Sequence, residues 1–501
     1  MQQARLIVDR DFIIDTLDRR VFGAFVEHLG RCIYGGIYEP GHVTADEHGF
    51  RGDVLALTRE LGVTMMRWPG GNFVSGYNWR DGVGPREQRP ARLDLAWRST
   101  ESNHFGTNEF ITWCRKAGIE PMMAVNLGTA GPEEARQLVE YCNHPGGTQY
   151  SDLRISHGYP QPHDIRFWCL GNEMDGYWQI CHKNAHEYAR TALEAAKVMR
   201  WTSPDLILAA CGSSYREMAT YGAWEHEVLT QCFDAVDFIS LHQYFHNHDD
   251  DIAQFFTHVD KLDRFITEVA AVADGVAARR RSRKRIMLSM DEWNVWYKAR
   301  TPADLAKPDW PQAPRLLEEV YNFEDALVVG GALITLMNHA DRVKSACLAQ
   351  LVNAIGAIMT ETGGPAWRQT IFHPFAQASR LARGTVLRLL TDCGTFSAGD
   401  YESAPLLLAT AVHDPATGMV SMFALNRSQE PMSLSVDLRG FGQLSIAESL
   451  ELKHDDLKAT NTRDAPDRVA PVAHPAAEVS GSGLKAALKP LSWNVFALKS
   501  K

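Results

Sequence analysis

The sequence lacks the features that mark several common classes of protein. Its nine cysteines are scattered and form no C-x-x-C pair, so neither a disulfide framework nor a zinc ribbon is indicated and a reducing compartment is favoured. No stretch approaches 18 uninterrupted apolar residues, and the N-terminal segment carries Arg5, Asp9, Arg10 and Asp11 where a signal peptide needs an apolar core. We therefore expect a soluble, cytoplasmic protein.

The sequence also has fewer basic than acidic residues. Lys and Arg total 51 against 61 Asp and Glu, which gives a formal net charge of −10. Because this charge opposes a phosphate backbone or an anionic membrane, neither nucleic acid nor membrane is expected as the partner. The basic run at 279–285 resembles a nucleic-acid patch in isolation, but it lies between a predicted helix and a predicted strand. We expect it to form a solvated face or a contact between subunits.

The hydrophobic content is sufficient for a large core. Of the 501 residues 45% are hydrophobic, and from about residue 21 to 384 short apolar runs alternate with amphipathic stretches, which predicts a (β/α)8 barrel. An open doubly wound sheet is the alternative, but no G-x-G-x-x-G turn follows the first strand. The eight candidate strands begin at Val21, Val63, Pro121, Ile165, Leu206, Val236, Arg285 and Ala332.

The pattern of apolar and polar residues changes after about residue 385. Short alternating runs are separated by turn signals, including a hairpin through Asp414–Gly418. This pattern predicts a small antiparallel β-sandwich at 385–501, and the isolated strand at 1–20 is expected to add to it. The barrel would then occupy 21–384.

Polar side chains end most of the predicted barrel strands, where barrel enzymes place their reacting groups. Glu173 and Glu292 end strands four and seven, which face each other across the barrel mouth. Such a pair is what retaining glycoside hydrolysis needs, with one carboxylate as nucleophile and the other as acid and base. Taken alone, a Glu at a strand end is more often a cap or an ion-pair partner.

The residues around these two glutamates carry a resemblance to a known family. W-C-L-G-N-E at 168–173 and M-D-E-W-N at 290–294 resemble the retaining clan of barrel glycosidases. Longer stretches from Phe25, Arg67, Phe167 and Met290, including RWPGGNFVSGYNWRDGVGP and FWCLGNEMDGYWQ, resemble glycoside hydrolase family 51, the α-L-arabinofuranosidases. The similarity covers essentially the whole chain.

The resemblance implies a retaining, exo-acting enzyme that needs no cofactor or metal. It would release terminal arabinofuranosyl groups from oligosaccharides of arabinan, arabinoxylan or arabinogalactan, and it would assemble as a homo-oligomer, commonly a hexamer. An endo-acting β-glycanase on the same scaffold and a carbohydrate-binding protein without catalysis are the alternatives.

Residue by residue, the resemblance implies that Glu173 is the acid/base and Glu292 the nucleophile. Arg67 would lower the pKa of Glu292 and Tyr244 would steady it. The residues that would hold the sugar are Glu27, Asn72, Asn172, Tyr244, Gln350 and Trp296, with Trp97 and Trp178 as further flat faces. Structural alternatives are an ordinary Glu27–His28 pair, a rim position for Tyr244 and a helix-surface amide for Gln350.

The sequence departs from the family in the loop after predicted strand six. His246, His248 and the acidic residues 249–251 follow Tyr244 there, and all of them are potential metal ligands. Adjacent residues do not converge easily on one ion without a partner from elsewhere, and solvated acids are common in loops. We therefore expect no metal in this loop.

Overall fold

The computed structural model describes residues 1–297 and 309–500. In the first part of the chain the strands are β1 (Gln2–Thr16), β2 (Gly23–Phe25), β3 (Met65–Trp68), β4 (Arg92–Asp94), β5 (Ser99–Glu101), β6 (Glu120–Val125), β7 (Phe167–Leu170), β8 (Ile207–Ala210), β9 (Phe238–Phe245), β10 (Met287–Val295), β11 (Val343–Ala349), β12 (Ile358–Thr360) and β13 (Ala366–Arg368). The C-terminal strands are β14 (Thr385–Cys393), β15 (Thr395–Ala398), β16 (Tyr401–Pro405), β17 (Leu407–Asp414), β18 (Met419–Asn426), β19 (Met432–Arg439), β20 (Leu444–Leu452), β21 (Val472–Ala473), β22 (Ala477–Ser480), β23 (Gly483–Leu488) and β24 (Ser492–Ser500).

Helices connect the strands of the first part. The α-helices are α1 (Gly52–Leu61), α2 (Thr107–Ala117), α3 (Pro132–Asn143), α4 (Gln149–Ser156), α5 (Ala185–Thr202), α6 (Ala223–Cys232), α7 (Ile252–Arg279), α8 (Phe323–Asn338) and α9 (Phe372–Leu381). Short 3-10 helices cover Arg19–Phe22, Asn72–Gly76, Trp79–Gly82 and Arg86–Gln88. None of the helices described in 1–297 and 309–500 is long and apolar enough to cross a membrane.

Eight parallel strands close into a barrel, which confirms the predicted fold. Their order around the barrel is β10, β11, β2, β3, β6, β7, β8 and β9. The side chains of β3 and β7 are buried throughout, as expected for parallel strands that are covered on both faces. Helices such as α3 and α5 bury one side against this barrel and expose the other.

The predicted eighth strand at Ala332 is wrong. That segment lies inside α8, and the eighth strand is β11, which begins at Val343. Helix α8 contacts both the barrel and strands β17, β18 and β24 of the C-terminal sheet, and all its residues from Phe323 to Met337 are buried. A helix covered on every side has no polar face, so its sequence pattern does not distinguish it from a buried strand.

Nine of the C-terminal strands and the N-terminal strand β1 form a ten-stranded, mostly antiparallel sheet, while β15 and β16 form a separate two-stranded sheet. The order in the ten-stranded sheet is β21, β20, β24, β18, β17, β14, β1, β19, β23 and β22. Strands β20 and β22 lie near opposite ends of that order and still contact each other, so the sheet folds over its own apolar core. The N-terminal strand pairs antiparallel with β14 and parallel with β19, and β17 and β18 form the predicted hairpin. We propose domain boundaries near residues 20 and 384, between β1 and the barrel and just before β14.

The basic run at 279–285 lies between the end of α7 and β10. Arg280 pairs with Asp234, and the Lys284 ammonium donates to the carbonyl oxygens of Phe233 and Val236 at 2.8 and 2.6 Å. The run therefore binds the end of the neighbouring α6 segment at the N-terminal side of strand β10, away from the strand ends that carry the candidate site.

Candidate active site

The two glutamates lie at the carboxyl ends of barrel strands β7 and β10. Glu292 belongs to β10 itself, whereas Glu173 follows β7 in a tight turn. Both Gly171 and Glu173 have positive φ angles there, 89° and 44°. A non-glycine residue in this conformation costs about 1–3 kcal/mol, and such residues concentrate at functional sites. The turn brings Glu173 over the barrel mouth, next to residues of β9 and β10.

His242, on β9, connects the two carboxylates. Its Nδ1 lies 2.8 Å from Glu173 Oε1 and 3.5 Å from Glu292 Oε2. One ligating atom from each of the three residues lies within 4.8 Å of the others. Carboxylate oxygens this close match retaining glycosidases, whose carboxyl groups are roughly 5–5.5 Å apart, rather than inverting ones, whose groups are roughly 6.5–9.5 Å apart to leave room for a water molecule.

Glu292 is held by hydrogen bonds to both of its oxygens. Arg67 Nη1 donates to Oε1 at 2.7 Å and the Tyr244 hydroxyl donates to Oε2 at 2.9 Å. Burial raises the pKa of Glu292, and the positive charges of His242 and Arg67 oppose that rise. Arg67 therefore lowers the pKa of Glu292 as predicted, but the loss of solvation is the larger effect, so the net direction is a raised pKa.

His242 is charged in this environment. Its Nε2 lies 2.9 Å from Asp291 Oδ1. Burial alone would lower the pKa of His242, but the surrounding carboxylates Glu292, Asp291 and Glu173 outweigh burial and raise it well above its usual value. Both ring nitrogens then carry protons, and a doubly protonated imidazole has no lone pair for a metal ion. The cluster of Glu173, His242 and Glu292 is thus better suited to proton chemistry than to metal binding.

Glu27 follows β2, and its buried carboxylate accepts from three donors. Its Oε1 accepts from the Phe73 backbone and from the Trp97 indole, each at 2.9 Å. Its Oε2 accepts from Gln350 Nε2 at 3.1 Å, and Gln350 Oε1 accepts from the Glu27 backbone N–H at 3.2 Å. Burial raises the pKa of Glu27 to about 8, although the Phe73 N–H stabilises the charged form. Gln350 is buried here rather than exposed on a helix.

The two predicted asparagines differ in their contacts. Asn172 Oδ1 accepts from Arg67 Nη2 at 2.7 Å, while its buried Nδ2 has no hydrogen-bond partner among the described residues. Asn72 begins a 3-10 helix and is half-buried. The side-chain amide of Asn172 therefore presents an unused donor next to the catalytic pair.

Aromatic side chains flank the two glutamates. Trp296 follows β10 and contacts Tyr244 edge to face at 5.1 Å between ring centroids. The Trp178 indole donates to Glu173 Oε2 at 2.7 Å and stacks on Tyr215 at 5.9 Å. An aromatic side chain therefore lies near each of the two carboxylates, and the flat face of an aromatic ring is suited to packing against a sugar.

The loop after β9 has structural contacts of its own. Asp251 caps helix α7 by accepting from the N–H groups of Ala253 and Gln254, and Asp250 pairs with Lys458 of the C-terminal domain at 2.5 Å. His246 and His248 pack ring against ring at 4.3 Å. Within the described residues the grouped ligand atoms are those of Glu173, His242 and Glu292, not those of this loop.

Two residues of the site have no role in the predictions made from the sequence. They are His242 on β9 and Asp291 on β10, and the structure joins them to the catalytic pair. The signal was present in the stretches LHQY and MDEW. Asn126, which follows barrel strand β6, has a local role instead, since its Oδ1 accepts from the Gly128 N–H at 2.9 Å.

Comparison with known proteins decides the family. A model described as the alpha-L-arabinofuranosidase 1 domain matches residues 57–264, and one described as the alpha-L-arabinofuranosidase C-terminal domain matches residues 291–492. The intracellular exo-alpha-(1->5)-L-arabinofuranosidase 1 of Bacillus subtilis is 52% identical over 100% of both chains. This chain belongs to the α-L-arabinofuranosidases of glycoside hydrolase family 51. It is therefore a glycoside hydrolase.

Two further relatives agree with this family. The exo-alpha-(1->6)-L-arabinofuranosidase of Bifidobacterium longum is 47% identical and covers 100% of this chain and 98% of its own. The solved structure of a family 51 alpha-L-arabinofuranosidase from Bifidobacterium longum has a TM-score of 0.96 at 42% identity and covers 99% of each chain. These similarities support the arabinofuranosidase interpretation and not the endo-β-glycanase alternative.

Proposed function

We propose that this enzyme is a retaining exo-α-L-arabinofuranosidase that removes terminal L-arabinofuranosyl groups from oligosaccharides by double displacement. The observation that carries the proposal is the pair Glu173 and Glu292, whose carboxylate oxygens lie within 4.8 Å of one another at the barrel mouth. That spacing supports a covalent intermediate and net retention.

In the first step Glu292 attacks the anomeric carbon while Glu173 gives its proton to the departing oxygen. The bond from carbon to the leaving sugar breaks as the bond to Glu292 Oε forms. In the second step Glu173 takes a proton from water, the water oxygen attacks the same carbon, and Glu292 leaves. Arg67 and Tyr244 each donate a hydrogen bond to the Glu292 carboxylate and so hold it in position for attack on the anomeric carbon.

The positive and negative charges of the site balance at the start of this reaction cycle. Arg67 and His242 are positive, while Asp291 and Glu292 are negative. The four charges therefore balance when Glu173 carries its proton. Because the site is buried, this balance avoids leaving an uncompensated charge, which would be costly. His242 would also stabilise Glu173 after the proton has left, through its 2.8 Å contact.

The sugar would be held by residues that surround the pair. The unused Asn172 Nδ2 donor supports a hydrogen bond to the 2-hydroxyl, a contact that strengthens as positive charge develops on the ring. Glu27 and Gln350 offer a joined acceptor and donor for further hydroxyls, and Asn72 offers an amide. Trp296 would pack against one face of the ring.

The linkage, the cellular location and the assembly belong to the same proposal. One relative is named for (1->5) and another for (1->6) linkages, so we propose arabinofuranosyl oligosaccharides as the substrate class rather than one linkage. The names of several relatives include the word intracellular, which supports a cytoplasmic location. We also propose a homo-oligomer, a hexamer by family resemblance, which sedimentation velocity would measure.

We expect purified enzyme to hydrolyse 4-nitrophenyl α-L-arabinofuranoside at neutral pH and to leave the matching β-D-glucoside and β-D-xyloside intact. The reason for this selectivity is the set of polar groups on Glu27, Gln350 and Asn172, which would match the hydroxyl groups of an arabinofuranosyl ring. The measurement is the initial rate of nitrophenol release on each substrate. Cleavage of the β-glycosides without the arabinofuranoside would contradict the proposal.

Tyr244→Phe should lower kcat/KM on the aryl arabinofuranoside by roughly 10- to 150-fold, because it removes a hydrogen bond to a charged group worth about 1.5–3 kcal/mol. The hydroxyl donates to Glu292 Oε2 at 2.9 Å. Tyr401→Phe, on a strand of the C-terminal domain, is the matched control and should keep its rate. An unchanged rate for Tyr244→Phe would show that the hydroxyl does not hold the nucleophile.

A further inference from the structure

The proposed acid/base Glu173 lies in a turn that belongs to no helix or strand. Its carbonyl oxygen accepts from the Gly176 N–H at 2.9 Å, so Met174 and Asp175 form the middle of the turn. Glu173 itself has a φ of 44°, a conformation that persists only where the surrounding structure holds it. The next helix, α5, begins at Ala185. Contacts from outside the turn must therefore keep the Glu173 carboxyl in place.

Asp175 ties this turn to the loop that follows β8. The Ser214 N–H lies 3.2 Å from Oδ1 and 3.1 Å from Oδ2 of Asp175, and the Ser214 hydroxyl donates to Oδ1. Burial raises the pKa of Asp175 to about 6, the Ser214 donors oppose that rise, and the Glu173 carboxylate adds to it. At neutral pH Asp175 is therefore mostly ionised, which is the form in which both of its oxygens accept hydrogen bonds.

The loop after β8 is itself held by two neighbouring elements of the barrel. Ser213 and Ser214 are buried. The Ser213 N–H donates to Glu225 of α6 at 2.7 Å, and the Gly212 N–H donates to the Ser240 hydroxyl of β9 at 3.2 Å. Because these bonds join the loop to two different elements, Ser214 offers the acid/base turn a fixed anchor.

The same loop also holds the side chain of Glu173. Tyr215, next to Ser214, stacks on Trp178 with 5.9 Å between ring centroids and 16° between ring planes. The Trp178 indole donates to Glu173 Oε2 at 2.7 Å. One loop therefore fixes both the backbone and the carboxyl group of Glu173. This matters for the rate, because a catalytic group misplaced by about 1 Å can cost on the order of 100-fold.

We propose that Asp175 is a positioning residue for proton transfer, because its hydrogen bonds to Ser214 hold the turn that places Glu173 next to the departing oxygen. Asp175 acts through Glu173 and makes or breaks no bond itself. The inference rests on the proposed arabinofuranosidase function and deepens it. It predicts that losing the contact between Asp175 and Ser214 slows those steps in which Glu173 must move a proton.

Two variants weaken the contact without touching the catalytic pair. Asp175→Asn keeps the size of the side chain but puts an NH2 group where one oxygen accepts, and Ser214→Ala removes the hydroxyl while keeping the backbone N–H. Asp414→Asn is the matched control. In the turn between β17 and β18, Asp414 likewise accepts from a backbone N–H, that of Ala416 at 3.0 Å, and from a hydroxyl, that of Thr417 at 2.8 Å.

The measurement is kcat/KM on a linear arabino-oligosaccharide and on aryl α-L-arabinofuranosides whose phenols range from weakly to strongly acidic. Asp175→Asn should lose roughly 10- to 100-fold on the oligosaccharide and the phenyl glycoside, because a displaced general acid gives up part of its contribution of about 10²–10⁴. Ser214→Ala keeps the backbone contacts and should lose roughly 3- to 10-fold on both. Both variants should stay within about 2-fold of the wild type on the dinitrophenyl glycoside, whose leaving group needs no proton. The dependence of kcat/KM on phenol acidity should therefore be steeper than in the wild type and in Asp414→Asn.

The second step gives an independent readout. Because Glu173 must also take the proton from water, hydrolysis of the glycosyl-enzyme should slow in Asp175→Asn. On the dinitrophenyl glycoside kcat and KM should then fall together while kcat/KM is kept. A general loosening of the fold would instead lower kcat/KM by the same factor on every substrate. Thermal unfolding of the variants checks that the fold is kept.

The outcomes separate the positioning role from the function. Equal losses on all aryl glycosides, or unchanged rates in both Asp175→Asn and Ser214→Ala, would overturn the positioning role. If Asp175→Asn does not fold, Ser214→Ala decides alone, because it leaves the carboxylate and the backbone contacts in place: a steeper dependence on phenol acidity supports the role and an unchanged one overturns it. A wild type inactive on every arabinofuranoside would instead contradict the proposed function.

Discussion

Replacing Glu292 with Ala should reduce kcat on an aryl α-L-arabinofuranoside by a factor on the order of 10⁶, the scale of losing a catalytic nucleophile. Without this carboxylate no glycosyl-enzyme forms, and the buried cluster also keeps the charges of Arg67 and His242 without their main counter-ion. Glu402→Ala, at an exposed position of β16, is the control and should retain full activity. Thermal unfolding of both variants would verify that the fold is kept.

Rescue of the Glu292→Ala variant by azide tests specifically whether Glu292 is the nucleophile. In Glu292→Ala the vacated space lies on the face of the sugar opposite the leaving group, so azide attacking there should restore turnover and give the β-L-arabinofuranosyl azide. Product configuration is read by NMR. Rescue with the α-azide, or a variant that keeps its rate without azide, would show that Glu292 is not the nucleophile.

Much of this architecture could be predicted from the order of apolar runs. Seven of the eight barrel strands, the N-terminal strand of the C-terminal sheet and the β17–β18 hairpin follow from local patterns, because each pattern reflects burial of that segment alone. The eighth strand was misplaced at Ala332 because α8 is enclosed by the barrel and the C-terminal sheet. Gly330 illustrates this enclosure, since a Cβ there would lie 2.6 Å from Trp493. Only the tertiary contact explains such a sequence.

The same distinction applies to the candidate site, where residue positions could be predicted from the sequence but electrostatic properties could not. The positions of Glu27, Arg67, Glu173, Tyr244 and Glu292 at strand ends could be read from the sequence, because a barrel brings strand ends to one face. The net pKa direction of Glu292 could not, since it depends on how much solvent the folded site excludes. The charge of His242 likewise depends on three carboxylates from two separate elements that meet only in the fold.

Replacing Glu173 with Ala should separate the two chemical steps. On oligosaccharides kcat/KM should fall by roughly 10²- to 10⁴-fold, the usual contribution of a general acid, because the departing sugar oxygen needs a proton. On an aryl arabinofuranoside with a strongly acidic phenol, the leaving group needs no proton, so kcat/KM should change little. The second step still lacks its base, so a burst of phenol followed by slow turnover is expected.

The stereochemistry with azide assigns this residue independently of the rates. In Glu173→Ala the nucleophile Glu292 remains, the glycosyl-enzyme forms, and azide attacks it from the face that the leaving group has vacated. The product should be the α-L-arabinofuranosyl azide, the opposite anomer from that of Glu292→Ala. Trp178→Phe removes the 2.7 Å hydrogen bond to Glu173 Oε2 while keeping the carboxylate, so it should show no azide rescue. If the two glutamate variants gave the same azide anomer, the assignment of acid/base to Glu173 and nucleophile to Glu292 would be wrong.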